Sequence, residues 1–287
     1  MLQRSTIQLL RFRFSFFLLP VYLFALSFQP QINWLKAALI FFLLHFLLYP
    51  ASNGYNSYMD RDEESIGGIA NPMAPTRQLF GVTIAMDILG TAISVLVSPA
   101  FAVMYVVYIV FSRLYSWRGV RLKQYPIIGY LTVILNQGAL TFYMVYYGAG
   151  PQSNFYVPWI GVTISTLLIG AFYPITQIYQ HEQDRKDNVT TISYLLGIRG
   201  TFIYCGLLYL TSFSLLAWYY SNAGHMYYFY ILQLLFLPVI ILFLRWAVQC
   251  WQNKAAVNFV NTMRMNIVAS TFTNIAFITL ILLQQRG

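Results

Sequence analysis

Two short segments hold seven of the chain's eight acidic residues: Asn56-Ser57-Tyr58-Met59-Asp60-Arg61-Asp62-Glu63-Glu64 and Gln180-His181-Glu182-Gln183-Asp184-Arg185-Lys186-Asp187. Only Asp87 lies elsewhere. Asn56, Asp60 and Glu64 are spaced i, i+4, i+8, which predicts one stripe of a helix. Gln180 and Asp184 form a shorter stripe of the same kind. Facing stripes of carboxylates and amides are what Mg²⁺ requires: a few hard oxygen ligands, with positions left for water and phosphate oxygens. Asn56, Asp60, Glu64 and Asp184 are the expected metal ligands. Cations needed by a phosphate ligand lie nearby in sequence: Arg77 after the first cluster, Arg121 and Lys123 between the two, and Arg185 and Lys186 inside the second. Arginine offers a forked contact to phosphate and lysine a point charge.

The elements that must position these residues are membrane helices. The chain is 59% hydrophobic and 9% charged, with a mean hydropathy of +0.60, far more apolar than a soluble domain. Nine apolar runs of bilayer-spanning length are expected, at roughly 14–29, 34–53, 79–98, 100–117, 126–148, 155–178, 200–220, 226–248 and 265–284. The bilayer forces these runs into helices, because unpaired backbone groups are costly in hydrocarbon. Asp87 falls inside the third. The fold class expected is therefore all-α, a polytopic bundle of nine transmembrane helices forming one domain over 1–287.

Orientation follows from the basic residues. With nine spans, fifteen Lys and Arg fall on the side of the amino terminus and only Lys36 and Arg286 on the other. The positive-inside bias makes the fifteen-residue side cytoplasmic. Both acidic clusters end even-numbered spans, so the polar site is expected at that face. The other face carries an aromatic belt that includes Phe155, Tyr156, Trp159, Trp218 and Tyr227. The net charge of +9 is an orientation signal, with no soluble basic domain to bind nucleic acid. Cys205 and Cys250 fall in or beside apolar runs and imply packing, not a disulfide. Asn136, Gln137 and Asn274 lie within spans and should face the bundle interior, bonding helix to helix or touching a substrate.

At these residues the chain resembles the UbiA-type superfamily of intramembrane prenyltransferases. That family carries Asn-x3-Asp-x3-Asp after its second helix and Asp-x3-Asp after its sixth. Here the motifs read Asn56-x3-Asp60-x3-Glu64, followed by Asn71-Pro72 and Arg77, and Gln180-x3-Asp184, followed by Arg185-Lys186, Thr191 and Gly197. Tyr115-Ser116 and Arg121-Leu122-Lys123 resemble the loop between them. Glu64 stands where the family has aspartate, and Gln180 replaces an anionic ligand with a neutral one. The second metal position should be looser in consequence, unless His181, Glu182 or Asp187 compensates.

The resemblance implies an isoprenyl diphosphate donor, Mg²⁺ as cofactor, and a lipophilic or aromatic acceptor among membrane lipids, as in quinone synthesis. It implies catalytic roles for Asp60, Asp184 and Lys123, and substrate contacts from Asn56, Arg77, Tyr115, Arg121, Gln180 and Arg185. The expected location is a bacterial inner membrane, with the amino terminus and active-site loops cytoplasmic. Two other readings remain: a catalytically weakened homologue that binds prenyl diphosphate, motivated by Gln180, and a secondary transporter. A transporter's coupling groups should lie near midplane, whereas these carboxylates sit at helix ends.

Overall fold

A computed structural model describes residues 1–151 and 156–285. Phe155 of the expected aromatic belt and Arg286 of the charge comparison lie outside the described residues. The elements in order are α1 (Arg4–Leu9), α2 (Leu19–Ser27), α3 (Trp34–Phe42), α4 (Tyr49–Asp60), α5 (Arg77–Ser94), α6 (Pro99–Ser116) and α7 (Pro126–Val133). They continue with α8 (Thr141–Ala149), α9 (Trp159–Phe172), α10 (His181–Lys186), α11 (Ile192–Asn222), α12 (Met226–Gln252) and α13 (Phe259–Gln284). Turns of π-helix at Leu43–Leu48 and Ile134–Leu140 join α3 to α4 and α7 to α8. No strand occurs among the described residues.

Eight segments among the described residues are long and apolar enough to cross a membrane. They match the expected runs except the third. That run is helical as α5, but Arg77 at its start and Asp87 in its middle keep it out of the eight. Asp87 forms an ion pair with Arg113 of α6, whose guanidinium also lies 4.0 Å above the Tyr55 ring of α4. The acid inside α5 is thus neutralised within the bundle, as a charge at that depth must be. The first run also starts earlier than expected, at Arg4, and is broken where Arg11 adopts a left-handed conformation.

The helices that carry the site are locked by polar contacts. Ser52 and Ser112 share a hydrogen bond, and one turn further along Asn56 Nδ2 donates to Ser116 Oγ at 3.0 Å. These i, i+4 pairs fix the register of α4 against α6. Gly138, in the second π-turn, packs against the backbone of α9, where an added Cβ would lie 2.7 Å from Thr166 Cα. The absent side chain lets the two helices approach, a common device between membrane helices. Away from the polar end, Phe24 packs on Phe277 at 4.8 Å and on Phe142 at 5.6 Å, tying α2, α13 and α8 together. Cys205 and Cys250 are buried and unpaired.

Candidate active site

The two acidic segments meet at one end of the bundle. Gln183 Nε2 donates to Asp62 Oδ1 at 2.7 Å, Lys186 Nζ lies 2.8 Å from Glu64, and Gln180 Nε2 donates to the Ser65 carbonyl at 3.3 Å. Beneath them lies a cavity of about 200 Å³ that reaches between α4, α6, α7 and the turn that follows α9. Three carboxylates line it: Asp60, Asp62 and Asp184.

Asp60 is the last residue of α4. Lys123 Nζ stands 2.6 Å from its Oδ2, which also accepts from Asn56 Nδ2 at 2.8 Å. Arg121 Nη2 is 3.7 Å from Oδ1. Arg118 donates from Nε to the Met59 carbonyl at 2.7 Å and from Nη2 to the Asp60 carbonyl at 3.3 Å, so a cation caps the exposed carbonyls of α4. Arg11, Arg61 and Arg121 all have positive φ. Residues without glycine's freedom are held there at a cost of order 1–3 kcal/mol, a strain that concentrates at functional sites. At Arg121 the result is a guanidinium turned inward, bonded to the Asp187 carboxylate and, at 3.1 Å, to the Asp187 carbonyl.

Positive φ at Arg61 also ends α4, so Glu64 does not continue the stripe of Asn56 and Asp60. Glu64 sits half-exposed in its pair with Lys186 and does not line the cavity. Asp62, missed in the sequence, lines it instead. Once the helix stops, the chain is no longer of period 3.6, and Asp62 turns inward. Arg77 is the exposed first residue of α5 and Arg185 lies on the exposed side of α10; neither lines the cavity. The cavity's arginine is Arg11, whose Nη2 reaches the Asn53 carbonyl at 3.3 Å and Asn56 Oδ1 at 3.4 Å. In the sequence it is one of three arginines before the first span, and nothing in its neighbours distinguishes it. Gln183 was legible: it is one turn from Gln180, on the same face.

The remaining expected residues Asn56, Tyr115, Lys123, Gln180 and Asp184 all line the cavity. The Tyr115 and Tyr173 hydroxyls are hydrogen-bonded to each other, and Gln177 Nε2 donates to the Tyr173 oxygen at 2.8 Å. Of the residues expected to compensate for Gln180, His181 bonds Ser193 at 2.7 Å, Asp187 bonds Arg121, and Glu182 is exposed. Asp62 is the third carboxylate in their place.

Burial dominates the electrostatics of the site. Burial pushes the Asp184 carboxyl up to about 7, against the pull of Lys123. Burial and the neighbouring Asp60 push Asp62 up to about 6. Asp60 Oδ1 and Asp184 Oδ2 are buried without a hydrogen-bond partner. Such atoms fit a divalent cation with oxygen ligands. Among the described residues no three His, Cys, Asp or Glu side chains are close enough to cage an ion unaided. That matches Mg²⁺ bound by one or two carboxylates and completed by phosphate and water.

A family model described as the UbiA prenyltransferase family matches residues 16–268. The chain belongs to that family. As a UbiA family member it is an integral, multi-pass membrane protein. Its fold is similar to a UbiA homologue from Archaeoglobus fulgidus bound to DMAPP and Mg²⁺, with TM-score 0.71 and 18% identity over 96% of this chain and 99% of that one. It is also similar to the apo UbiA homologue from Aeropyrum pernix K1, with TM-score 0.68 and 17% identity over 94% and 98%. A structure of digeranylgeranylglyceryl phosphate synthase gives TM-score 0.63 and 19% identity over 97% and 98%. No curated protein matches the chain.

Proposed function

We propose that the chain, acting as one domain over 1–287, transfers an isoprenyl group from a prenyl diphosphate to a lipophilic or aromatic acceptor in the membrane, as in quinone or related lipid synthesis. The observation that carries this reading is the convergence of Asp60, Asp62, Asp184, Lys123 and Arg11 on one cavity at the end of a UbiA-type bundle. The structurally similar Archaeoglobus homologues bind GPP or DMAPP with Mg²⁺.

Asp60 and Asp184, each with a buried carboxylate oxygen left without a partner, would hold Mg²⁺ with the amide oxygens of Asn56 and Gln180, and Asp62 stands beside them. Bound there, the ion supplies charge neutralisation for the leaving diphosphate. Lys123 and Arg11 reach the same cavity, so both bind diphosphate oxygens and stabilise the charge that grows on them. Arg121 acts from one step back, holding Asp60 and Asp187 in place. The allylic C–O bond breaks with its electron pair left on the diphosphate, and the acceptor gives a pair to the allylic carbon. The acceptor's displaced proton leaves on the released diphosphate. Tyr115 and Tyr173 line the cavity, where their rings would stabilise the developing cation by up to about 2 kcal/mol each when desolvated. The contacts between the acidic segments at the end of the cavity would help to keep bulk water from the cation.

The positive-inside bias supports a cytoplasmic site and amino terminus, and a bacterial inner membrane is the proposed location. The test is incubation of the purified protein with radiolabelled geranyl or farnesyl diphosphate and a mixed lipid extract, with Mg²⁺ or with EDTA. Mg²⁺-dependent label in a new lipid, absent with Asp60→Ala, is the expected result. Binding without transfer favours the weakened homologue, and neither binding nor transfer favours a transporter.

A further inference from the structure

Lys123 and Arg11 both line the cavity, but among the described residues Arg11 makes no ion pair, whereas Lys123 pairs with Asp60. Arg11 donates from Nη1 to the Gly67 carbonyl at 3.4 Å, and from Nη2 to the Asn53 carbonyl at 3.3 Å and Asn56 Oδ1 at 3.4 Å. Its Nε is buried with no partner. These are long bonds to neutral oxygens, and a buried cation held only by such bonds is costly. The backbone adds a second cost, with φ at 49°. Diphosphate oxygens would complete the bonding of this guanidinium. Before they bind, another part of the molecule must keep it turned inward.

α1 and the loop that follows α4 supply that hold. The Arg11 N–H donates to the Gln8 carbonyl at 3.1 Å. The Gln8 side chain then grips the loop at two points: Nε2 donates to the Asn71 carbonyl at 3.2 Å, and Oε1 accepts from the Met73 N–H at 2.8 Å. Pro72 lies between them and has no N–H to offer, so one amide satisfies the backbone on both sides of it. Further back, the Gln3 N–H and the Thr6 hydroxyl both donate to Gln78 Oε1, at 2.7 and 3.0 Å. Leu9 and Leu10 pack with Ile66 and Leu79 in a small apolar cluster separate from the main core. Beyond Arg11, Phe14 packs against the Ile66–Ile69 turn, where a Cβ on Gly67 would lie 2.7 Å from its ring. Phe14, Ile66 and Gly67 line the cavity together with Arg11. Gln8 does not.

We propose that Gln8 is a positioning residue for the diphosphate: by clamping α1 to the backbone on either side of Pro72, it holds Arg11 in the conformation that faces the cavity. The proposal rests on the prenyl diphosphate reading and adds to it a residue outside the cavity. The coupling must be reciprocal. A clamp that favours the inward Arg11 is itself favoured, by the same factor, when diphosphate binds Arg11.

The experiment uses full-length protein in nanodiscs with Mg²⁺ and radiolabelled geranyl diphosphate, whose equilibrium retention gives a Kd without any acceptor. No Mg²⁺-dependent retention by the parent protein would defeat the prenyl diphosphate reading itself. With retention established, Gln8→Met keeps the side-chain length and loses both clamp bonds. It is expected to raise the Kd about fivefold or more, which is about 1 kcal/mol. Ser98→Ala is the control for general destabilisation, since it removes the N-cap of α6 at the opposite end of that helix from Ser116. Its melting temperature should fall while its Kd stays within about twofold of the parent. An unchanged Kd in Gln8→Met overturns the proposal, as does an equal rise in Ser98→Ala. Hydrogen exchange reads the reciprocal effect. Geranyl diphosphate with Mg²⁺ should slow the Ile66, Ile69 and Met73 amides about threefold or more in the parent, and no slowing there refutes the coupling.

Discussion

Asp60, Asp62 and Asp184 carry different loads from Glu64, although all four are acids of the same two segments. The first three line the cavity; Glu64 pairs with Lys186 outside it. Asp60→Asn and Asp184→Asn are each expected to lower turnover about 100-fold or more, because an unneutralised diphosphate is a poor leaving group. Glu64→Gln should stay within about threefold of the parent, the scale of an exposed ion pair. A loss from Glu64→Gln as large as that from Asp60→Asn would put Glu64 on the metal after all. The raised carboxyls predict a pH dependence with a definite sign. Asp184 keeps its proton in the folded protein up to about 7, against a usual 3.8, so between those values the folded state binds more protons than the unfolded one. Without metal, stability therefore falls as pH rises through that window. Mg²⁺ must displace those protons, so its thermal stabilisation should grow from pH 6 to pH 8. Melting curves with and without Mg²⁺ at each pH check both, and Asp184→Asn should flatten both slopes. The sequence made Asp60, Asp184 and Lys123 legible by type and spacing. Asp62 and Arg11 were hidden because a left-handed arginine, which no local residue type announces, decides which way each faces.

Helices were legible where apolar length alone specifies them, and less so where tertiary contacts bend them. The two π-turns, the break at Arg11 and the early end of α4 all depend on what packs nearby, and a hydropathy pattern does not record that. Gly138 shows how narrow the tolerance is: its π-turn carries Asn136 and Gln137 into the cavity wall while its own backbone touches α9. Gly138→Val is expected to push α9 away and lower the melting temperature, read in a thermal-shift assay. A melting temperature unchanged by that substitution would mean that the close approach of the two helices carries no stability. The Asp87–Arg113 pair couples α5 to α6 and, through Tyr55, to α4. Asp87→Leu alone leaves Arg113 uncompensated and should cost about 3–5 kcal/mol, whereas Asp87→Leu with Arg113→Leu should recover much of that loss. A thermal-shift double-mutant cycle separates the two cases, and a double variant no better than the single one would refute the pairing.

For the whole molecule, the placement of charge was the most legible property, because the bilayer penalises charge at depth wherever it occurs. Both acidic segments end even-numbered runs, and the structure brings them to the same end of the bundle within hydrogen-bonding distance. The basic residues of that end include Arg118, Arg121 and Lys123, which serve the site as well as topology. On the proposed reading, orientation and catalysis share one set of cations. The parity argument counts α5 as a span despite Asp87. If α5 crosses, the polar end and the amino terminus face the cytoplasm and the carboxyl terminus faces outward. If it does not, the two ends of the chain share a side. Alkaline phosphatase fused after Gly287 should therefore be active in a bacterial host, and the same reporter placed before Met1 without a leader should be silent. Activity from neither fusion would overturn the nine-span count.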